Sequence, residues 1–343
     1  MVATIYNDAA GQTLALVDAR ASRNTFVYDL AGRQVELIDP LNRRTTYGYD
    51  SAGRQTLRMD ARGNRTSYVL DGVSQQTGRR YPDASRVTFA YDSVGNRTGM
   101  IDESGRYTTS FDALNREHTV DIRSSGRFTY WYDNMGNDAL VVDRDGGRFT
   151  YQYDAAQRLV TLDNPQGDPT TFVHDASGRR TVVMLSDGTR SSFTYNAADQ
   201  LTGIVNLESD SSVLSSYEYS LDNVSNRTAV VEASGDRVTW SYDATYQLRG
   251  EHRSGANAYR TTFSYDAAGN RLVENTDGAR TTYIYDSGNQ LQTSADSSGV
   301  TTYQFDESGN QQIVIEPDDQ HLGLRKPADV GGAVGWQPRD GRV

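Results

Sequence analysis

The chain has 343 residues and a mean hydropathy of −0.67, which on its own would suggest disorder, but 22 tyrosines and abundant Thr and Val suit a pleated, half-buried surface. A formal net charge of −11 with interspersed signs argues against a nucleic-acid partner, whose phosphates demand clustered Lys and Arg. The lack of cysteine excludes disulfides, thiolate zinc sites and a cysteine nucleophile; no apolar run approaches the roughly 18 residues of a membrane span, so no membrane insertion is expected, and "MVATIYNDAAGQ" is not a signal peptide.

From the N-terminus onward one unit repeats. A degenerate copy, "IYNDAAGQ", comes first, and a turn aspartate then recurs at Asp29, Asp50, Asp71, Asp92, Asp112, Asp133, Asp154 and Asp175. Asn196 takes the next place, followed by Asp222, Asp243, Asp266, Asp286 and Asp306. The interval is 20 or 21 residues except around Asp222 and Asp266, where small insertions lengthen it. Self-similarity at a fixed short period is the mark of a repeat architecture.

Each copy reads as strand, turn, strand, turn. Counting back from Asp266, Tyr265, Phe263 and Thr261 share one parity, while Ser264, Thr262 and Arg260 share the other. The period of two predicts a strand with an aromatic face, on which Tyr130 and Tyr151 also lie, and a small or polar face. "DAAG", "DSAG" and "DSVG" place Asp first and Gly fourth, as a type I turn prefers, with the carboxylate accepting an amide two residues on. A second strand such as "RLVENT" leads to a second turn such as "DGGR" or "TDGAR". Arg recurs six residues before most anchors, and an acid often precedes the second turn, predicting ion pairs Asp39/Arg44, Asp60/Arg65 and Asp143/Arg148 across the hairpin mouth.

About fifteen copies imply roughly thirty antiparallel strands, and a twisted sheet of more than about ten strands has to curl. No segment shows a capped helical period that could cover the sheet. The expected fold is therefore all-β: tandem antiparallel β-hairpins coiling into at least a partial spiral β-shell, with cross-strand aromatic ladders in place of a central core.

"YDAAGNRL" at Tyr265 and "YDSVGNRT" at Tyr91 resemble the YD repeat of the RHS family, which includes bacterial Rhs proteins, the BC components of Tc toxins and the teneurin shell. The resemblance covers approximately residues 1–315. It implies a hollow spiral shell in a secreted or cell-surface protein, enclosing a toxin polypeptide in bacterial members and serving adhesion in teneurins; carbohydrate binding is also implied. Complete family shells are longer, so this chain is expected to form part of one, cut from a longer array. The array is expected to occupy 1–318 and an irregular tail 319–343, where Gly and Pro abound and the alternation stops. The family's C-terminal self-cleavage motif has no convincing counterpart; "EPDDQHLGL" is a faint echo.

The candidate residues follow. Tyr28, Tyr49, Tyr91, Tyr132, Tyr153, Tyr242, Tyr265 and Tyr285 are expected to form a structural ladder, and Asp29, Asp50, Asp92, Asp133, Asp154, Asp175 and Asp266 to form turns. His174 stands where other copies have Tyr and reads as a ladder substitute. Trp131 and Trp240 are candidates for stacking on sugar rings, Trp131 lying on the polar face. Neither a serine elbow, a P-loop nor a dinucleotide fingerprint occurs, and "DRDGG" at Asp143 lacks a calcium loop's ligand series. "GNRT" at Asn64 and Asn96, "SNRT" at Asn226 and "NVS" at Asn223 match a glycosylation acceptor, although in the first two it is the repeat's own wording. The sequence thus predicts a non-enzymatic scaffold without cofactor or metal. Its expected partners are an enclosed polypeptide, adjoining repeats or glycans, with a self-cleaving unit as the remaining alternative.

Overall fold

The computed structural model describes residues 4–123 and 125–317; the tail expected over 319–343 lies outside the described residues. Among the described residues every element is a β-strand, thirty of them, from Thr4–Asn7 to Gln311–Ile315. They belong to one sheet in which each strand runs antiparallel to the next in sequence. The reason is visible in a strand such as Arg148–Tyr153, "RFTYQY". Phe149, Tyr151 and Tyr153 are half-buried on one face, while Arg148 and Gln152 are exposed on the other.

The hairpin turns are tight. The Asp29 amide donates to the Arg33 carbonyl at 2.9 Å, and the Gly32 amide donates to the Asp29 carbonyl at 2.9 Å. Gly32 sits at φ 78°, closing a type I turn with a left-handed residue and forcing a bulge. The bulge shows as a register step, with Trp131 opposite Leu140 but Tyr132 opposite Asp138.

At Asp39, Asp60 and Asp143 the second turn is built like the first, which corrects one expectation. Asp39 keeps its carboxylate within the turn: Oδ1 accepts the amides of Leu41 and Arg43 at 2.9 Å each, and Oδ2 accepts from the Arg43 guanidinium. Asp143 likewise accepts the amides of Asp145 at 2.9 Å and Gly147 at 2.7 Å. Amides already fixed by the turn are nearer than an arginine across the hairpin mouth, and they bind the acid without ordering a long side chain.

The chain divides into two compact units. One comprises Phe26–Leu37 and Thr45–Thr262; the other comprises Met1–Thr25, Ile38–Arg44 and the chain from Phe263 onward. In the larger unit the buried apolar residues are small, namely Ala229, Val230 and Val238. Cross-strand neighbours carry its packing instead.

In the smaller unit the beginning of the array meets turns more than two hundred residues later, through the side chains of turn residues. Arg20 Nε lies 3.3 Å from Asp266 Oδ2, and its Nη1 donates at 3.0 Å to both the Asp286 carbonyl and Asn289 Oδ1. Asn289 Nδ2 donates to Asp18 Oδ2 at 2.9 Å, and Arg43 Nη1 to Gln290 Oε1 at 3.1 Å. Leu41 fills the space above Gly288, where an added Cβ would lie 3.0 Å from Leu41 Cδ1. Arg20→Ala should therefore loosen this seam. Hydrogen exchange at residues 286–290 is expected to quicken by on the order of ten-fold, the equivalent of one charge-assisted hydrogen bond. Unchanged exchange there would show that the seam is held by something else.

Candidate functional site

The larger unit carries a lattice that links many of its rungs to the next. Asp50 Oδ1 accepts the amides of Ala52 at 3.0 Å and Arg54 at 2.9 Å, and Oδ2 accepts Arg54 Nε at 2.8 Å. Arg54 Nη1 then reaches the carbonyl of Asp71, the next turn aspartate, at 2.6 Å. Arg158 does the same to the Asp175 carbonyl at 2.9 Å, and Arg179 to the Asn196 carbonyl at 3.0 Å. The guanidinium also lies over the following tyrosine: Arg33 is 4.9 Å from the Tyr49 ring, Arg116 is 4.2 Å from Tyr132 and Arg179 is 4.9 Å from Tyr195. In many copies the tyrosine hydroxyl donates to a carbonyl fifteen residues back. The distances are 2.6 Å from Tyr49 to Gln34, 2.9 Å from Tyr91 to Gln76, 2.7 Å from Tyr132 to Glu117 and 2.8 Å from Tyr242 to Arg227. Copies written with Asn keep a shorter version, in which Asn96 Nδ2 bridges Asp92 Oδ2 at 2.9 Å and Asn115 Oδ1 at 3.0 Å.

The proposed ladder residues Tyr28, Tyr49, Tyr91, Tyr132, Tyr153 and Tyr242 in the larger unit, and Tyr265 and Tyr285 in the smaller, are all half-buried. Of these rings Tyr49 and Tyr132 lie under arginines, and other aromatic residues of the strands, such as Tyr195, Tyr219 and Phe263, do the same. Among the described residues the ring contacts are His118 edge-on to Trp131 at 5.7 Å and Tyr217 stacked on Tyr219 at 6.5 Å. Successive rungs are two strands apart, about 10 Å, beyond the range of an aromatic pair. A guanidinium fits the gap. The arginine four residues after the turn aspartate, the R of "GR", was the available signal for this contact. His174 occupies its ladder place half-buried, its Nδ1 buried without a hydrogen-bond partner among the described residues.

The two candidate tryptophans differ. Trp131 is 41% exposed on the polar face. Trp240 is half-buried, and its Nε1–H donates to Glu251 Oε2 at 2.8 Å. The other oxygen of Glu251 accepts the Tyr259 hydroxyl, whose pKa this bond raises. Beside it Arg253 forks onto Glu232 at 2.7 Å twice and reaches Asp236 at 3.0 Å.

Electrostatics follow the lattice. The hydrogen bond from the Arg158 side chain, then its amide, brings the Asp154 carboxyl down to about 2. Arg179 lowers Asp175, and the amide and side chain of Arg54 lower Asp50. Burial raises Tyr130 and Tyr151. Among the described residues no group of three or more His, Asp and Glu is placed to hold a metal ion. A carboxyl whose folded pKa is depressed stabilises fully above its unfolded value near 4, and loses that contribution as pH falls towards 2. The melting temperature should therefore be level from pH 6 to 5 and drop between pH 4 and 2, followed by circular dichroism. A level profile down to pH 2.5 would contradict this account of the turns.

Residues 97–252 match the family model for the teneurin YD-shell, and residues 28–65 match that for the RHS repeat; together they span more than half of the chain. No curated protein matches the sequence. Among solved structures, the chain superposes on TcdB2-TccC3 without its hypervariable C-terminal region with a TM-score of 0.78 at 14% identity, over 91% of this chain and 19% of that one. A second crystal structure, TcdB2-TccC3-TEV, matches with a TM-score of 0.54 at 14% identity, over 96% of this chain and 25% of that one. These likenesses show the fold, tandem antiparallel hairpins of the spiral-shell kind, and the chain spans about a fifth to a quarter of the length of the chains it matches. By its repeats and by that fold, the chain belongs to the RHS/YD-repeat family.

Proposed function

We propose that this chain is a non-enzymatic scaffold, a stretch of YD-repeat shell that encloses or presents a polypeptide and abuts further repeats. The observation that carries the reading is the repetition of the lattice itself. Aspartate, arginine and tyrosine bind the neighbouring rung in copy after copy, and a residue set bound in this way serves assembly. The tyrosines act as rungs and the aspartates as turn formers, in an array over 1–318 with an irregular tail over 319–343. A secreted or cell-surface setting accompanies this reading, in keeping with the family.

Two measurements test it. The purified chain should stay a single species on prolonged incubation; a discrete self-generated fragment abolished by one acid-to-amide change would make it a processing enzyme. Produced together with the polypeptide that adjoins it in its own reading frame, the array should shield that polypeptide from added protease. Equal cleavage with and without the array would refute enclosure.

Direct glycan binding is the second reading, favoured by the exposed Trp131 with His118 against its edge. A sugar stacking there should shift tryptophan fluorescence, and Trp131→Ala should remove the shift while Trp240→Phe leaves it. If no glycan of a broad panel changes the emission, this reading fails.

A further inference from the structure

The hairpin joining the strands Gln76–Arg80 and Arg86–Tyr91 departs from the repeat in charge. In many copies an acid opens the second turn and accepts its amides, as Asp39, Asp60, Asp102 and Asp143 do, although Asn164 and Leu185 open two others. Here Tyr81 stands in that place, and the register sets Arg80 directly opposite Arg86. Like charges in directly opposed positions destabilise an antiparallel pair. On the next strand Ser67 faces Arg80, with Arg65 two residues before it on the same face. Arg65, Arg80 and Arg86 are all exposed, and none has a hydrogen-bond or ion-pair partner among the described residues. The turn arginines, by contrast, are held by both a carboxylate and a carbonyl.

Two adjoining grooves on this polar face share Arg80. One, of about 560 Å³, adds Asn64, Arg65 and Ser67; the other, of about 620 Å³, adds Ser85, Arg86 and Thr88. Two of the nearby acids are bound within their own turns, and Asp102 and Glu103 line the second groove. Asp83 accepts the Ser85 amide, and Asp102 accepts the amides of Ser104 and Gly105. The basic residues of the chain are arginine throughout, apart from Lys326. A guanidinium fork suits bidentate binding of an oxyanion.

We propose that this groove binds a tetrahedral oxyanion, a phosphate or sulfate group, held by Arg65, Arg80 and Arg86 with hydroxyls from Ser67 and Thr88. An anion between Arg80 and Arg86 turns their repulsion into attraction, and it satisfies donors that the fold leaves open.

Sulfate and phosphate stabilise proteins generally by exclusion from their surface, so the informative quantity is a difference between variants. At matched ionic strength, inorganic phosphate should raise the melting temperature of the native chain more than that of Arg80→Gln or Arg86→Gln, while Arg237→Gln, on another hairpin, responds like the native chain. Titration calorimetry with inorganic phosphate should show affinity falling roughly ten-fold or more in either groove variant, as expected for the loss of a charged hydrogen bond. A phosphomonoester and a sulfated monosaccharide form the second arm. Tighter binding of either than of the free ion assigns the site to a ligand-borne group, and equal binding assigns it to the ion itself. Equal phosphate responses in the native chain and both groove variants would overturn the proposal.

Discussion

The structure depends on one contact: a turn aspartate grips an arginine four residues on, and that arginine reaches the next turn. Arg158 touches Asp154 at 2.6 Å and then donates to the Asp175 carbonyl at 2.9 Å. Isolated surface ion pairs stabilise little, because long side chains must be ordered to form them. In the next copy Asx-turn amides fix the Asp175 carboxylate, the Tyr195 ring restrains the Arg179 guanidinium, and Arg179 meets a second acceptor in the Asn196 carbonyl. Modest bonds of this kind accumulate along the array, since the arginine-bearing copies repeat them between nearest neighbours.

This arrangement substitutes for a core. In the larger unit the buried apolar residues are two valines and an alanine, and the tyrosines remain half-buried. A phenylalanine could occupy the same apolar position, as Phe111 and Phe305 do at the ends of their strands. What tyrosine adds is a hydroxyl that satisfies a carbonyl at the start of the strand before it. The tyrosine preference thus reflects backbone satisfaction as much as burial. The smaller unit applies the same chemistry over a longer range, with Arg20 contacting turn residues of the later repeats in place of an immediate successor.

Strands, turns and faces were legible in the sequence because their causes are local: alternation of period two, and Asp and Gly at fixed offsets. Parity even separates the tryptophans. Trp240 lies three residues before Asp243, on the tyrosine face, whereas Trp131 lies two before Asp133, on the other. The arginine lattice was not legible, because its two ends lie seventeen residues apart and no short pattern joins them. Ring-on-ring ladders were expected because period two shows which residues share a face but not how far apart successive rungs lie. The pairing of Asp39 with Arg43 over Arg44 needed the turn geometry, in which the nearer residue already points at the acid.

A repeated motif tells little about recognition, since whatever every rung does serves the array. Specificity has to arise where a copy departs from the pattern, and two hairpins of the larger unit do so in charge. At one, the extra arginine is answered: Arg253 finds Glu232 and Asp236, and the departure closes on itself. At the other, Arg80 and Arg86 face each other with no acid between them. Both departures place arginine near the second turn, yet one is internally neutralised and the other is left facing outward. Unanswered like charges set directly opposite each other separate a binding surface from a structural variation.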